Sequence, residues 1–402
     1  MKVFIAGIDG YLGWPLAQSL AARGHTIAGN DRFYRRHWVE EVGGHSATPV
    51  YSMTERLQAF HEQYNQSILF REGDLLDYPF LKTFLAEFHP EAIVHLAEMP
   101  SAPYSMIDQA RAAFTQQNNV IGSLNLLWAI KEVCPNAHLV KLGTMGEYGT
   151  PNVDIPEGFF EVEFRGRKDT LPFPRQAGSF YHWSKVYDSN NTMFACKIWG
   201  LRATDIMQGV VYGTRIDEMG HDPRLRSRLD FDQCFGTVLN RFCCQAVIGH
   251  PLTLYGQGNQ TRGFLPLRDS MQCLTLTIEN PPEFGQYRVF NQFEACYTVG
   301  ELAQVVKTVG DQLGLNVTIQ HYDNPRTELS QHYYSPDRQH LINLGYQPNH
   351  NLQAEVQIML QDLLPFKGRI AERQNVLLPD IRWDGNHRHS KIIDEPVAPP
   401  QH

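Results

Sequence analysis

The chain has 402 residues, 42% of them apolar, and a net charge of -8. That length suits two domains, or one large α/β unit with an appended lobe, and the acidic balance argues against a nucleic-acid partner, because phosphate binding needs a basic face. No apolar run approaches the roughly 20 residues of a membrane span, and seven cysteines without a Cys-x-x-Cys pair read as reduced core thiols of a cytoplasmic protein.

Lys2 to Ala6 is an apolar run that reads as a strand and leaves no room for a signal or transit peptide. Gly7-Ile8-Asp9-Gly10-Tyr11-Leu12-Gly13 follows, then a helical segment from Trp14 to Arg23 that Gly24 stops. Gly7, Gly10 and Gly13 between strand and helix permit a tight turn, a close backbone approach to a pyrophosphate and close packing of helix on sheet. A second strand, His25 to Gly29, leads to Asn30-Asp31. A carboxylate at Asp31 can accept from both ribose hydroxyls of an adenosine, which favours NAD over NADP. Arg32, Arg35 and Arg36 pull the other way, since an arginine here would suit a 2′-phosphate.

Ser67 to Glu72 is a third strand ending at Gly73-Asp74, where Asp74 either contacts the adenine amine or closes a turn. Tyr78 to Phe88 is an amphipathic helix, Ala92 to Ala97 a buried strand, residues 105–132 helical and His138 to Leu142 another strand. This alternation predicts an α/β fold with a doubly wound parallel sheet, its ligands at the carboxyl ends of the strands. Gly143-Thr144-Met145-Gly146-Glu147-Tyr148-Gly149 sits off one such end. Further on, Tyr181 and Lys185 stand four apart on a predicted helix and share a face. A neighbouring ammonium favours phenolate, so the pair is an acid/base device for taking a proton from an alcohol. With Thr144 bonding the same oxygen, these residues make a hydride-transfer site: Tyr181 takes the proton, NAD the hydride, and Lys185 steadies tyrosinate and nicotinamide ribose.

Beyond Tyr212 the chain leaves the sheet to build a substrate lobe. Arg224, Arg226 and Arg228 read as solvated surface or a local phosphate contact. Asn240-Arg241-Phe242 belongs to a helix, Leu252 to Gly256 is a short strand, Arg268 to Glu279 a helix, and Gln286 to Asn291 a strand returning to the first domain. Thr298 and Glu301 form a capping box ahead of Leu302, Val305, Val306 and Val309, and Pro365 halts a last helix from Ala354 to Leu364. The expected domains are a dinucleotide-binding unit over 1–213, completed by about 268–296, a smaller C-terminal α/β lobe over 214–267 and 297–373, and a tail over 374–402. That tail, without period, is expected to be loop, disorder or an arm across a dimer. The Gly-x-Ser-x-Gly of a serine hydrolase is absent, and no histidine spacing suggests a metal, so none is expected.

The glycine fingerprint with Thr144, Tyr181 and Lys185 resembles the extended short-chain dehydrogenase/reductases, which mostly act on nucleotide sugars. Longer stretches narrow this: Ser101 to Asp108, Asn118-Asn119-Val120-Ile121-Gly122, His138 to Asn152, Asp169-Thr170-Leu171-Pro172, Gly209 to Gly213, Asn240 to Cys243, Gln260-Thr261-Arg262-Gly263 and His332-Tyr333-Tyr334. Up to about residue 370 the chain resembles the UDP-sulfoquinovose synthase family. The resemblance implies NAD-dependent oxidation of UDP-glucose at C4, loss of water across C5 and C6, sulfite addition at C6 and return of the hydride. It implies Glu147 and His182 as acid and base, Met145 as a wall of the sugar pocket, and Arg262 and Arg326 on the diphosphate. Asn119 falls to the cofactor, and Gln208, Asn240, Tyr255 and Gln260 to the substrate. It further implies a homodimer through the helices at 105–132 and 180–198, and sulfite supplied free or by a partner protein. One departure stands out: Met99-Pro100 replaces the family's Gln-Arg after Glu98. That removes a guanidinium suited to sulfite, so a sulfite-independent dehydratase or epimerase is the first alternative. A catalytically silent NAD-binding regulator is the second.

Overall fold

The first strand, β1 (Lys2–Ala6), explains why its sequence is apolar throughout rather than alternating: Val3 and Ile5 join one core cluster and Phe4 and Ala6 another, on opposite faces, all four fully buried. The computed structural model describes residues 1–329, 332–348, 351–386 and 388–393. After β1 come α1 (Gly13–Ala22), β2 (Thr26–Asp31), α2 (Tyr34–Glu41), α3 (Met53–Tyr64), β3 (Leu69–Glu72), α4 (Tyr78–Phe88), β4 (Ala92–His95), α5 (Gln109–Gln116), α6 (Gly122–Val133) and β5 (His138–Thr144). A hairpin of β6 (Phe159–Phe164) and β7 (Arg167–Pro172) precedes α7 (Phe180–Trp199) and β8 (Arg202–Gln208).

The second half holds β9 (Val210–Tyr212), α8 (Val238–Ile248), β10 (Leu252–Tyr255), β11 (Thr261–Pro266), α9 (Leu267–Glu279), β12 (Tyr287–Gln292), β13 (Ala295–Thr298), α10 (Val299–Gln312), β14 (Ile319–Tyr322), α11 (Gln339–Asn343), α12 (Leu352–Leu363) and α13 (Lys367–Ala371). Seven parallel strands form the central sheet in the order β12-β8-β5-β4-β1-β2-β3. The strand order turns back between β1 and β4, and a crevice for ligands opens there beyond the carboxyl ends. As expected, β12 returns from the second half to pair with β8. The lobe has its own core, in which Phe242, Leu252, Leu302, Val306, Val356 and Leu360 are fully buried. At about 1.5–3 kcal/mol for each large apolar side chain buried, this cluster holds α8, α10 and α12 on β10.

Element positions follow the sequence reading to within a few residues, with four differences. The helix expected over 105–132 is broken: a π turn at Gln117–Ile121 joins α5 to α6, a wide turn often tied to local function. Helices α2, α3, α11 and α13, strands β8, β9, β11, β13 and β14 and the solvated hairpin β6-β7 were not among the predicted elements. Arg228 is not solvated: it is 2% exposed and bonds Asp230, which also holds Arg35. Arg224 does lie at the surface, paired with Asp222 and Glu62. Residues 374–386 and 388–393, mostly loop as one of the expected forms, lie back on their own chain through Asp380, Ile381 and Trp383; His387 and Asp394 to His402 fall outside the described residues.

A second buried charge cluster sits beneath the first loop. Asp9 accepts two bonds from Arg36, at 2.7 and 2.8 Å, and one from the fully buried Arg56 at 2.5 Å. Arg56 also lies 4.2 Å over the Trp14 ring. Burial pushes the Asp9 carboxyl up, but the Arg36 bond and the two guanidinium charges outweigh it and hold it below the usual carboxylate range. These bonds tie α1, α2 and α3 to the glycine turn.

Candidate active site

The carboxyl ends of β1, β2, β4, β5 and β8 open into a cavity of about 640 Å³, walled on its far side by the lobe. Gly7, Gly10 and Gly13 line it, and space dictates two of them. A Cβ on Gly13 would stand 2.3 Å from the Gly7 carbonyl oxygen, and one on Gly7, where φ is +85°, 2.7 Å from the Leu96 backbone. The N-terminus of α1 carries no side-chain cap, so its first N–H groups face this cradle.

Asp31, at the end of β2, accepts from the Asp9 and Phe33 N–H groups at 2.9 and 2.7 Å. Burial and the Asp9 charge push its carboxyl up to about 6. Asp74 closes a turn by accepting from Leu76 N–H, takes the Tyr34 hydroxyl and also lines the cavity. Each arginine that would suit a 2′-phosphate already holds a carboxylate: Arg32 with Glu72, Arg35 with Asp230, Arg36 with Asp9. The cradle, Asp31 and these committed cations fit NAD.

Helix α7 delivers Tyr181, His182 and Lys185 to the cavity, and β5 delivers Thr144. Ser179 caps α7: its Oγ accepts from His182 N–H at 3.2 Å and lies 2.9 Å from His182 Nδ1, fixing the ring. A Cβ on Gly146 would come within 2.4 Å of that ring, so the glycine makes room for His182. Burial and the charges of Arg326 and Arg262 pull His182 down to about 3. The imidazole is therefore neutral throughout the working range.

Three expectations need correction. The Tyr181 phenol is not lowered: burial, with Glu147 and Asp188, raises it above 10 against the opposing Arg35 charge. The Lys185 ammonium shares its helix face but donates to the Leu142 carbonyl at 2.6 Å and pairs with the Glu98 carboxylate. Burial pulls Lys185 down to about 8 against the opposing charges of Asp188 and Asp205. Secondly, Glu147 does not face the cavity. It is fully buried behind the loop, where one oxygen accepts from Thr144 N–H and the other from Ser189, 3.5 Å from Arg175. This capping box shapes the turn that presents Thr144. Thirdly, Asn119 is sealed beneath the wall and grips the Met99 peptide at both ends, donating to its carbonyl at 3.1 Å and accepting from its N–H at 2.8 Å. Its neighbour Asn118 lines the cavity instead.

Met145 and Gln208 at the ends of β5 and β8, and Asn240, Tyr255, Gln260, Arg262 and Arg326 from the lobe, all line the cavity. Arg262 is also ion-paired, at 2.7 Å, with Glu328. Sequence reasoning overlooked Arg241, which is 5% exposed, lines the cavity and places its guanidinium 5.0 Å over the Tyr255 ring. Its signal was available, one residue past Asn240 on α8. Trp383, from the tail, also reaches the cavity, and no pattern in its stretch announces it.

The family model described as NAD dependent epimerase/dehydratase matches residues 3–291. A UDP-sulfoquinovose synthase of Sulfolobus acidocaldarius is 48% identical over 95% of this chain and 98% of its own length. The chain belongs to this family. A chloroplastic UDP-sulfoquinovose synthase of Spinacia oleracea is 47% identical over 95% of this chain and 79% of its own, so within the NAD-dependent epimerases and dehydratases the chain sits with the UDP-sulfoquinovose synthases. Solved structures of the same fold include a UDP-glucose 4-epimerase of Thermotoga maritima (TM-score 0.66, 19% identity, 92% and 100% of the two chains). Another is a UDP-glucuronic acid 4-epimerase mutant of Bacillus cereus (TM-score 0.68, 18% identity, 90% and 99%). Among the described residues of this family member no helix is long and apolar enough to cross a membrane.

Proposed function

We propose that the chain converts UDP-glucose and sulfite to UDP-sulfoquinovose, using NAD as a resident hydride carrier. The observation that carries this is the pairing of 48% identity to a synthase over 95% of the chain with a cavity that gathers Thr144, Tyr181, His182 and Lys185. Gly7, Gly10 and Gly13 would hold the pyrophosphate of NAD, Asp31 the adenosine ribose, Asp74 the adenine amine and Lys185 the nicotinamide ribose. When bound there, NAD would supply a reversible hydride acceptor for C4.

Tyr181 takes the C4 hydroxyl proton while Thr144 holds the same oxygen. The resulting ketone acidifies the C5 proton. With Glu147 walled off, His182 is the group placed to move that proton: it is neutral, and its Nδ1 contact with Ser179 leaves Nε2 for the substrate. Loss of the C6 hydroxyl as water leaves a C5–C6 double bond conjugated to the ketone. Sulfite then adds at C6, C5 regains a proton and C4 regains its hydride. Arg241, Arg262 and Arg326 are assigned to the diphosphate, as forked donors suited to phosphate oxygens.

Met99 and Pro100 favour one second reading. Met99 is fully buried, and Pro100 stands at the cavity wall where the relatives' arginine would be. A sulfite-independent dehydratase would need no guanidinium there. Mass spectrometry of products from UDP-glucose, with and without sulfite in deuterated water, decides between them. A UDP-sugar heavier by sulfite less water supports the synthase; a dehydrated or deuterium-exchanged sugar, indifferent to sulfite, supports the dehydratase. Seven free thiols, six of them buried, suit a cytoplasmic location. Exposed Trp128, Tyr187, Phe194 and Ile198 on α6 and α7 support a homodimer through those helices.

A further inference from the structure

The segment after α13 has no hydrophobic period, yet it is tied to the cavity at three places. Gln233, a cavity residue, accepts from the Asp380 and Ile381 N–H groups at 2.9 and 3.3 Å. Ile381, 8% exposed, packs into the cluster of Met99, Tyr104 and Phe235 against which Tyr181 also rests. Trp383 then spans the gap between the two halves of the molecule. Its N–H donates to the Pro325 carbonyl at 2.9 Å, and its indole Nε1 donates to the Gly178 carbonyl at 2.8 Å. The Arg326 guanidinium lies 5.4 Å over its ring. Arg382 secures the turn from below through Asp323 at 2.9 Å.

Two of these anchors identify what the indole covers. Gly178 immediately precedes Ser179, the cap of the helix that carries Tyr181, His182 and Lys185. Arg326 comes from the lobe and, like Gly178 and Trp383, lines the cavity. The ring is therefore tied on one side to the residue before the cap of the helix that carries Tyr181, His182 and Lys185 and on the other to the lobe, at the wall of the cavity.

We propose that Trp383 is a substrate-binding residue that covers the sugar and retains the dehydrated ketone until it is sulfonated and reduced. This rests on the function proposed above. In that sequence the hydride leaves C4 before the C6 carbon–sulfur bond forms and returns only afterwards. A sugar that escapes in between leaves its hydride on the cofactor, and that enzyme molecule stops. Retention is therefore a requirement of the chemistry, and a planar apolar cover tied to both walls meets it while excluding water.

The test uses the full-length enzyme with UDP-glucose and sulfite, comparing wild type with Trp383→Phe, which keeps a ring but loses the Nε1 donor, and Trp383→Ala, which loses both. The readouts are the ratio of released dehydrated UDP-sugar to sulfonated UDP-sugar, the reduced cofactor left on the enzyme by absorbance, and hydrogen exchange of residues 379–386 with and without UDP-glucose. Losing one neutral hydrogen bond should raise the ratio about fivefold in Trp383→Phe. Losing the ring and its cation contact as well should raise it about tenfold or more in Trp383→Ala, with reduced cofactor accumulating. In wild type, UDP-glucose should slow exchange in 379–386. The proposal is overturned if folded Trp383→Phe and Trp383→Ala both keep the wild-type ratio, or if UDP-glucose leaves that exchange unchanged. A wild type that is inert to UDP-glucose, or that itself releases the dehydrated sugar regardless of sulfite, overturns the underlying reading instead.

Discussion

Desolvation and the Glu147 charge keep the Tyr181 phenol protonated, so the side chain has to lose its proton within the assembled site. Tyr181→Phe should lower kcat by about 10²–10⁴-fold, the usual worth of a positioned acid or base, while NAD still binds; single-turnover absorbance of reduced cofactor checks it. Asp31 gives a pH signature. Its carboxyl titrates near 6, and only the ionised form accepts from both ribose hydroxyls. NAD affinity should thus be intact at pH 7 and fall as the pH drops through about 6. Titration of cofactor binding from pH 7 to 5, as about one unit either side, measures this, and Asp31→Asn should flatten the profile. Both residues were readable because their chemistry depends on short spacings: a four-residue helical step for Tyr181 and Lys185, and a strand end for Asp31. The state of each proton was not, since desolvation depends on what the rest of the chain packs around them.

At the scale of elements, the turn after β5 separates presenting a group from reacting with it. Sequence spacing put Glu147 next to Thr144, and both are indeed together, but the 3-10 turn Met145–Glu147 directs the carboxylate backward onto the Thr144 N–H. Glu147→Gln keeps an acceptor for that N–H and removes the charge beside Ser189 and Arg175. We expect a fall in kcat with the pH profile's shape unchanged, as suits a positioning residue; loss of one limb of the profile would restore Glu147 as acid or base. Asn119 has a similar history. The sequence marks the Asn118-Asn119 pair, and the π turn rotates Asn118 to the cavity and Asn119 under Met99. A one-residue difference on a helix is a 100° rotation, which spacing alone leaves open when the turn is irregular.

For the whole molecule, the Asp9–Arg36–Arg56 cluster joins three helices to the glycine turn. Removing the shared anion leaves two guanidinium groups uncompensated, one of them fully buried. Asp9→Asn should therefore destabilise the protein by roughly 3–5 kcal/mol, read as a lower midpoint in urea unfolding with NAD affinity reduced in parallel. The apolar side chains left exposed on α6 and α7 make a second prediction at this scale. Sedimentation should show a dimer at micromolar concentration, and Phe194→Asp, at a residue 59% exposed, should shift it to monomer without loss of helix content.

By itself, the sequence determined the alternating parallel sheet, the glycine cradle with Asp31, the Thr144, Tyr181 and Lys185 set, and the family. Each is written in local spacing or in contiguous runs of residues, and local geometry carries that information directly. Only the tertiary structure decided that Glu98 pairs with Lys185, that Asp230 holds Arg35, that Arg241 stacks on Tyr255 at the cavity, and that Trp383 crosses 205 residues of chain to bond Gly178. Those contacts join residues distant in sequence, and each depends on which polar groups the packed core shuts away from water and obliges to find partners inside.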